Sequence, residues 1–455
     1  MVIGKLLLFV PLQIVVQNDK GGTICTTYCG GTIKHGGTDN NTIMNKDKHI
    51  PSGYKPSPLG IIPEDWEVKR LGEIGDFSKG SGVPKDKIIK DEHGYPCLTY
   101  GDLYTKYHFV IRNIKSFIDD IVASESKEIH NGDICFAGSG ETPEDIGKCA
   151  AYLENCPAYA GGDIVILSPN NNINSLWLSY LLNSDIGGKQ RYKFAQGFSI
   201  VHIYPDNLKQ IQIPVPPLPE QQSIVSVLSL WDTAIAKQTA LIEKLTLRKR
   251  GLMQQLLTGK KRLKGFSGEW KEVRLGKLFD ERNETNCDNL LLLSITGDKG
   301  VIYQSESDKR DISNEDKSKY KHICPNDIGY NTMRMWQGRS ALSGLEGIVS
   351  PAYTIVTPKN NIDVRFMAML IQQPRIVYSF WTHSQGLVSD TLSCKYPDFS
   401  QVKVNIPPKD EQSAVAEFFI GLNKEIELAN KKLASLQAQK KGLLQQLLTG
   451  KKRVK

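Results

Sequence analysis

Four side chains suited to reading nucleobases fall within six residues of "NTMRMWQGRS": Arg334, Trp336, Gln337 and Arg339. Arginine and glutamine can make bidentate hydrogen bonds to guanine and adenine edges, and an aromatic ring can stack or wedge. An ordinary strand with a buried Trp and exposed basic neighbours fits the same stretch equally well. Fainter candidates of the same kind are Ser139 in "AGSGET" and Lys148. For those two a purely structural role is the preferred reading.

Other motifs imitate catalysts and fall short. "FAGSG" (Phe136 to Gly140) copies the F-x-G-x-G loop that cradles S-adenosylmethionine, but no N-P-P-Y/F motif accompanies it. A turn in a β-rich domain explains it better. "TGKK" lacks the spacing of a phosphate-binding loop. "PEDWEVK" resembles an acidic nuclease signature, yet its counterpart "GEWKEVR" does not keep the carboxylate spacing, so a domain start is favoured. The eight histidines form no H-x-x-x-H or H-E-x-x-H pattern, so spacing supports no metal site. Nine scattered cysteines without a C-x-x-C pair read as free thiols in a reducing cytoplasm. The chain reads as non-catalytic.

A chain of 455 residues has room for two to four domains, and 40% apolar with 23% charged residues is ordinary for a soluble protein. The net charge of +8 permits a nucleic-acid partner without requiring one. Its distribution is more telling. Lys237 to Lys264 holds nine Lys or Arg against the single acid Glu243, and Lys431 to Lys455 holds eight with no acid. Residues 1–50 are expected to be an extension outside the fold. The Lys-led apolar run "GKLLLFVPLQIVV" is broken by Pro11 and too short to span a bilayer. Met44 is a candidate for the true start.

The residues with chemical potential must be positioned by a chain that is written twice. "GLMQQLLTGKKRLK" (Gly251 to Lys264) returns as "GLLQQLLTGKKRVK" (Gly442 to Lys455), changing only Met253 to Leu444 and Leu263 to Val454. "EDWEVKRLGEI" matches "GEWKEVRLGKL", aligning Trp66 with Trp270, and "IPVPPLPEQQSIV" matches "VNIPPKDEQSAV". Weaker echoes pair Gln196-Gly197 with Gln385-Gly386 and Tyr204-Pro205-Asp206 with Tyr396-Pro397-Asp398. So long a period means two related domains, each followed by the same connector.

The connector is helical, starting at Pro219 or Asp410 and stopping at Thr258-Gly259 or Thr449-Gly450. Spacings of four and three give a seam of Ile224, Leu228, Trp231, Ile235, Gln238, Ile242, Leu245, Lys249, Leu252 and Leu256. The second seam is Val415, Phe419, Leu422, Ile426, Ala429, Leu433, Leu436, Lys440, Leu443 and Leu447. Each helix of about 40 residues spans about 60 Å. Because the second domain begins at the far end of the first helix, the second helix must run back antiparallel to pair with it. Within the domains, "PCLTYGDLY", "DICFAGSG", "DIVILSP", "IGYNTMRMW" and "AYTIVTP" read as strands, while "INSLWLSYLLNS" and "IDVRFMAMLIQQ" read as helices.

The expected fold is therefore α+β: two mixed α/β domains joined by two long antiparallel coiled-coil helices with pseudo-twofold internal symmetry. The boundaries are 51–217 for the first domain, 218–259 for its helix, 260–408 for the second domain and 409–455 for its helix.

From about Gly53 onward the chain resembles the specificity subunits of type I restriction–modification enzymes. The resemblance rests on "GYKPSPLGIIPEDWEVKRLGEI", "IPVPPLPEQQSIV…GLMQQLLTGKKRLK", "IPPKDEQSAVAEFF…GLLQQLLTGKKRV", "AYAGGDIVILSP" and "GIVSPAYTIV". It implies that each domain reads half of a bipartite site on double-stranded DNA and that the helix pair sets the gap. It also implies docking of two adenine methyltransferase subunits, then of two ATP-driven restriction subunits, in the cytoplasm and away from membranes. S-adenosylmethionine, ATP and magnesium would belong to those partners and no cofactor to this chain. Two alternatives stay open: a coiled-coil adaptor whose end domains bind proteins, and a self-contained DNA methyltransferase.

Overall fold

The computed structural model describes residues 50–454 except 91–92, 141–145, 196–200, 298, 308–309, 312 and 387–391. The expected N-terminal extension, apart from Ile50, and the Gln196-Gly197 echo lie outside the described residues. Ser52–Lys455 forms one compact unit. Among the described residues no helix is long and apolar enough to cross a membrane.

In each domain a strand near the start clasps the last strand. Glu67–Arg70 pairs antiparallel with Gln212–Val215 in the first domain, and Lys271–Arg274 pairs with Lys403–Ile406 in the second. The two repeated sequence markers, far apart in the chain, are thus hydrogen-bonded neighbours. Leu71 N donates to Ile211 O and Leu275 N to Val402 O, extending the clasp alike in both copies. Inside the first domain a five-stranded sheet is built around Ile164–Pro169, Ile134–Ala137 and Cys149–Tyr152. A four-stranded sheet containing Tyr95–Leu98 accompanies it. The second domain centres on a four-stranded sheet holding Phe279–Arg282, Tyr353–Pro358, Ile328–Asn331 and Ser340–Leu342.

Both expected domain helices form, as Ser175–Leu182 and Val364–Leu370. Asn174 and Asp363 cap them by accepting from backbone N–H groups in the first turn. "PCLTYGDLY" differs from expectation: the strand ends at Leu98 and Tyr100–Thr105 is helical. The reason is local, because Asp102 accepts from both the Thr99 backbone N–H (2.9 Å) and its hydroxyl (2.8 Å), closing a helix start.

The connector helices run Leu218–Leu256 and Lys409–Leu448, of 39 and 40 residues, each one residue earlier than the expected starts. Gly259 (φ +71°) and Gly450 (φ +68°) terminate them in the left-handed region, as "TG" foretold. Every seam position listed above is buried or half-buried. The helices are antiparallel, and the apolar cores demonstrate it. The first domain's core takes in Ile224 and Leu228 from the start of the first helix and Leu447 and Leu448 from the end of the second. The second domain's core takes in Val415, Phe419 and Leu422 from the start of the second helix and Leu256 and Leu257 from the end of the first.

Polar contacts repeat the same symmetry. Arg262 forms a two-pronged ion pair with buried Glu411, and Arg453 forms one with buried Glu220. Gln221 and Gln412 each accept from the cap residue of the neighbouring domain helix, at Asn174 N (2.8 Å) and Asp363 N (3.0 Å). The breaks in the seam are used too. Lys440 is buried in an ion pair with Asp232, its ammonium over the rings of Phe109 (4.3 Å) and Tyr180 (5.0 Å).

Candidate nucleic-acid interface

The loop carrying Arg334, Trp336, Gln337 and Arg339 joins two adjacent strands of the second domain's sheet. It leaves Asn331, makes a single 3-10 turn over Met335–Gln337, and re-enters the sheet at Ser340. Met335 is completely buried and pegs the loop to the core. Gly338 at φ +73° makes the reversal that a side chain would strain, and it lies against Val377. The Asn331 side chain accepts from Met333 N at 3.1 Å, fixing the entry.

With the loop pinned, Arg334, Gln337 and Arg339 are exposed and share a cleft of about 830 Å³ with Lys299, Asn331 and Gln372. Neither arginine forms an ion pair or a side-chain hydrogen bond among the described residues, so their donors face solvent. Trp336 is placed differently: it is half-buried, with its indole N–H donating to Met333 O at 3.0 Å. Sequence reasoning did not point to the neighbouring helix Pro374–His383, which packs on this loop and exposes Tyr378 and Trp381. Those rings lie 5.5 Å apart. The signal was present as aromatics on an otherwise polar helix face, but only packing shows that they border the loop.

In the first domain the two candidates separate. Ser139 is buried in a short strand, its hydroxyl 3.0 Å from His202 Nδ1 and its carbonyl accepting from Tyr104. It stands behind the surface, because the Ser139–Gly140 strand pairs with Val201–His202. Lys148 is half-buried, donates to Tyr104 O at 3.1 Å, and lines a cleft of about 860 Å³ with Lys189 and Lys193. His108 in the same cleft has its pKa lowered, first by burial and then by the charges of Lys148 and Lys440. A second cleft of about 770 Å³ shares His108, Asp185 and Lys189 and continues onto the connector helices at Lys441, past Lys440, whose charge Asp232 already pairs. The result is a basic groove running from the first domain to the helix pair, suited to an anionic polymer.

On the middle of the connector helices only one side of each is covered by its twin. Leu230, Leu241 and Leu247 on the first helix, and Ile420 and Leu428 on the second, are exposed.

Residues 63–247 and 267–438 each match the family model described as the type I restriction modification DNA specificity domain. The type I restriction enzyme MjaVIII specificity subunit of Methanocaldococcus jannaschii is 26% identical over 428 residues, which are 87% of this chain and 94% of that one. The solved type I restriction–modification system S subunit of M. genitalium superposes with a TM-score of 0.50 at 16% identity, covering 84% of this chain and 96% of the other. A solved chain from a study of type I system assembly and conformational transition gives 0.55 at 16% identity, over 86% and 99%. At that identity the likeness is one of fold.

Proposed function

Because the chain belongs to the type I restriction–modification DNA specificity family, we propose that it reads one asymmetric, bipartite site on duplex DNA, one domain per half-site. Its role is sequence recognition. The chain supplies the address, and methyl transfer and cleavage belong to partner subunits. Two adenine methyltransferase subunits dock on the helix pair, where the exposed apolar side chains offer them a surface. Two restriction subunits complete the nuclease, and S-adenosylmethionine, ATP and magnesium bind to those partners in the cytoplasm.

The observation that carries this reading is the antiparallel helix pair, with each domain's core built on one helix start and the other helix end. It places two unlike domains at opposite ends of a rod about 58 Å long, at about 1.5 Å per residue. In the second domain, Arg334, Gln337 and Arg339 are the proposed base-reading residues and Trp336 braces their loop. In the first, Lys148 is a proposed phosphate contact and Ser139 is left as a framing residue because it is buried.

A fixed rod makes the gap between half-sites rigid. One base pair more or less moves a half-site by about 3.4 Å and turns it by about 35°. Binding of the methyltransferase-loaded chain to duplexes with the spacer lengthened or shortened by one pair is the test. A sharp loss on both sides of one spacer length is expected. Equal affinity across spacers would remove the ruler. The competing adaptor reading expects no sequence preference in either half.

A further inference from the structure

We propose that His322, Cys324 and Glu346 in the second domain bind one zinc-type divalent cation. The three residues offer ligand atoms that all lie within 4.8 Å of one another. His322 Nε2 is 3.4 Å from Cys324 Sγ and 3.1 Å from Glu346 Oε1. Metal–ligand bonds of 2.0 to 2.3 Å in a tetrahedron give edges of about 3.3 to 3.6 Å, so small shifts seat the ion. Thiolate, imidazole and carboxylate together suit zinc better than magnesium or calcium, which prefer all-oxygen shells. With three protein ligands, water takes the fourth position.

The surroundings orient these groups. Glu284 accepts at 2.7 Å from His322 Nδ1, an arrangement that fixes the imidazole tautomer and directs Nε2 toward a metal. His322 N also donates to Glu284 O at 2.9 Å, so the pair is tied twice. Cys324 opens a tight turn: its N–H donates to Asp327 Oδ2 at 2.8 Å, and Asn326 takes φ +72°. Asp327 is in turn held by Arg282 and Thr357. The carboxylates of Glu284, Glu346 and Asp327 outnumber the Arg282 guanidinium, which favours a cation. Burial raises the Cys324 thiol pKa, and a bound cation would displace that proton.

The ligands come from two places in the fold that are remote in sequence, which is why no spacing motif announces them. His322 lies in the strand Lys321–Ile323, Cys324 follows it, and Glu346 immediately precedes the partner strand Gly347–Val349. The ion would tie these two paired strands together, with Glu284 bracing His322 from the chain after Phe279–Arg282. It sits at the Ile328 end of the strand Ile328–Asn331, whereas the Arg334 loop leaves from the Asn331 end. Its role is therefore structural, apart from base reading.

The test uses the full-length chain stripped with chelator and titrated with Co²⁺ as a spectroscopic substitute, then with Zn²⁺. One equivalent should produce visible d–d bands and a thiolate charge-transfer band, which Zn²⁺ abolishes. Cys324→Ser should remove the charge-transfer band, and Glu284→Gln should weaken affinity by about 10- to 100-fold. Cys156→Ser, at an exposed thiol elsewhere, should change nothing. No bands with folded wild-type chain, or an undiminished charge-transfer band in Cys324→Ser, would overturn the proposal. His322 would then serve only as a hydrogen-bonded bridge between Glu284 and Glu346.

Discussion

The Gln238 side-chain amide donates to the Ala429 carbonyl at 2.9 Å across the two connector helices, and the two residues are 191 positions apart. Lys260 and Lys451 of the repeated "TGKKR" have the same separation, so Gln238 and Ala429 are equivalent positions in the two copies. Equivalent residues of antiparallel elements meet only where the twofold axis passes. The polar break in the first seam therefore marks the centre of symmetry and fixes the register of the rod.

Removing that bond should cost about 0.5 to 1.5 kcal/mol, the net worth of one hydrogen bond, since the Ala429 carbonyl lies within the helix Lys409–Leu448 and keeps its main-chain partner. Gln238→Ala is expected to lower the unfolding free energy by that amount, read as a lower denaturant midpoint at unchanged slope. Gln238→Leu should lose the same bond while keeping volume, and its register can be read by cross-linking across the helices. A midpoint unchanged in both variants would mean that the bond contributes nothing to pairing.

Glu411 and Glu220 are buried, and each has one arginine holding it. Arg262→Ala and Arg453→Ala leave a buried carboxylate uncompensated, with an expected loss of about 3 to 5 kcal/mol each. Combining Arg262→Met with Glu411→Leu should recover most of that loss. Thermal or urea unfolding of Arg262→Met alone against the double variant distinguishes this from simple loss of packing, which Arg262→Met alone would already repair.

Arg334→Ala and Arg339→Ala should weaken specific binding by about 1 to 3 kcal/mol wherever the guanidinium reads a base. Discrimination should relax in one half-site only and stay intact in the other. An arginine that touches only phosphate would instead lower affinity for all sequences and reduce the salt slope by about one. Binding to half-site libraries at two salt concentrations separates the cases, and no change in either would remove this loop from the interface.

Acid should destabilise the second domain through Asp363. Burial opposes its ionisation, but hydrogen bonds from Arg365 and Ser413 outweigh this and hold its pKa below 3.8. A lowered folded-state pKa means that the stabilisation is present above 3.8 and is lost as pH falls through the folded value. The unfolding midpoint of wild type should therefore drop below about pH 4, and Asp363→Asn should flatten that part of the profile. Asn still caps the helix Val364–Leu370, so its stability at neutral pH should change less than that of Asp363→Ala.

Much of the architecture was legible because it was written as repetition and periodicity. Seam residues from Ile224 to Leu256 and from Val415 to Leu447 are covered, since a long amphipathic helix has one stripe to bury and its twin has the same one. Direction followed from connectivity alone. The candidate loop was legible as residue types, and the structure leaves Arg334, Gln337 and Arg339 exposed while tucking Trp336 against Met333. Ser139, for which a structural role is the preferred reading of the sequence, is buried in a short strand whose partner His202 lies far along the chain, a pairing that no local pattern records.

By itself the sequence determined the duplicated domains, the helical connectors, their antiparallel course and the family, because these depend on pattern along the chain. Only the tertiary structure decided which copies of a shared residue do the same work. Arg262 and Arg453 both close a "TGKKR" segment, yet only Arg453 also grips Asp65. Trp66 donates to Glu220 at 2.9 Å, whereas the indole N–H of its counterpart Trp270 is buried with no partner among the described residues. Likewise His322, Cys324 and Glu346 become neighbours only when two strands pair. Side-chain chemistry at such places depends on distances between residues remote in sequence, and local pattern carries no record of them.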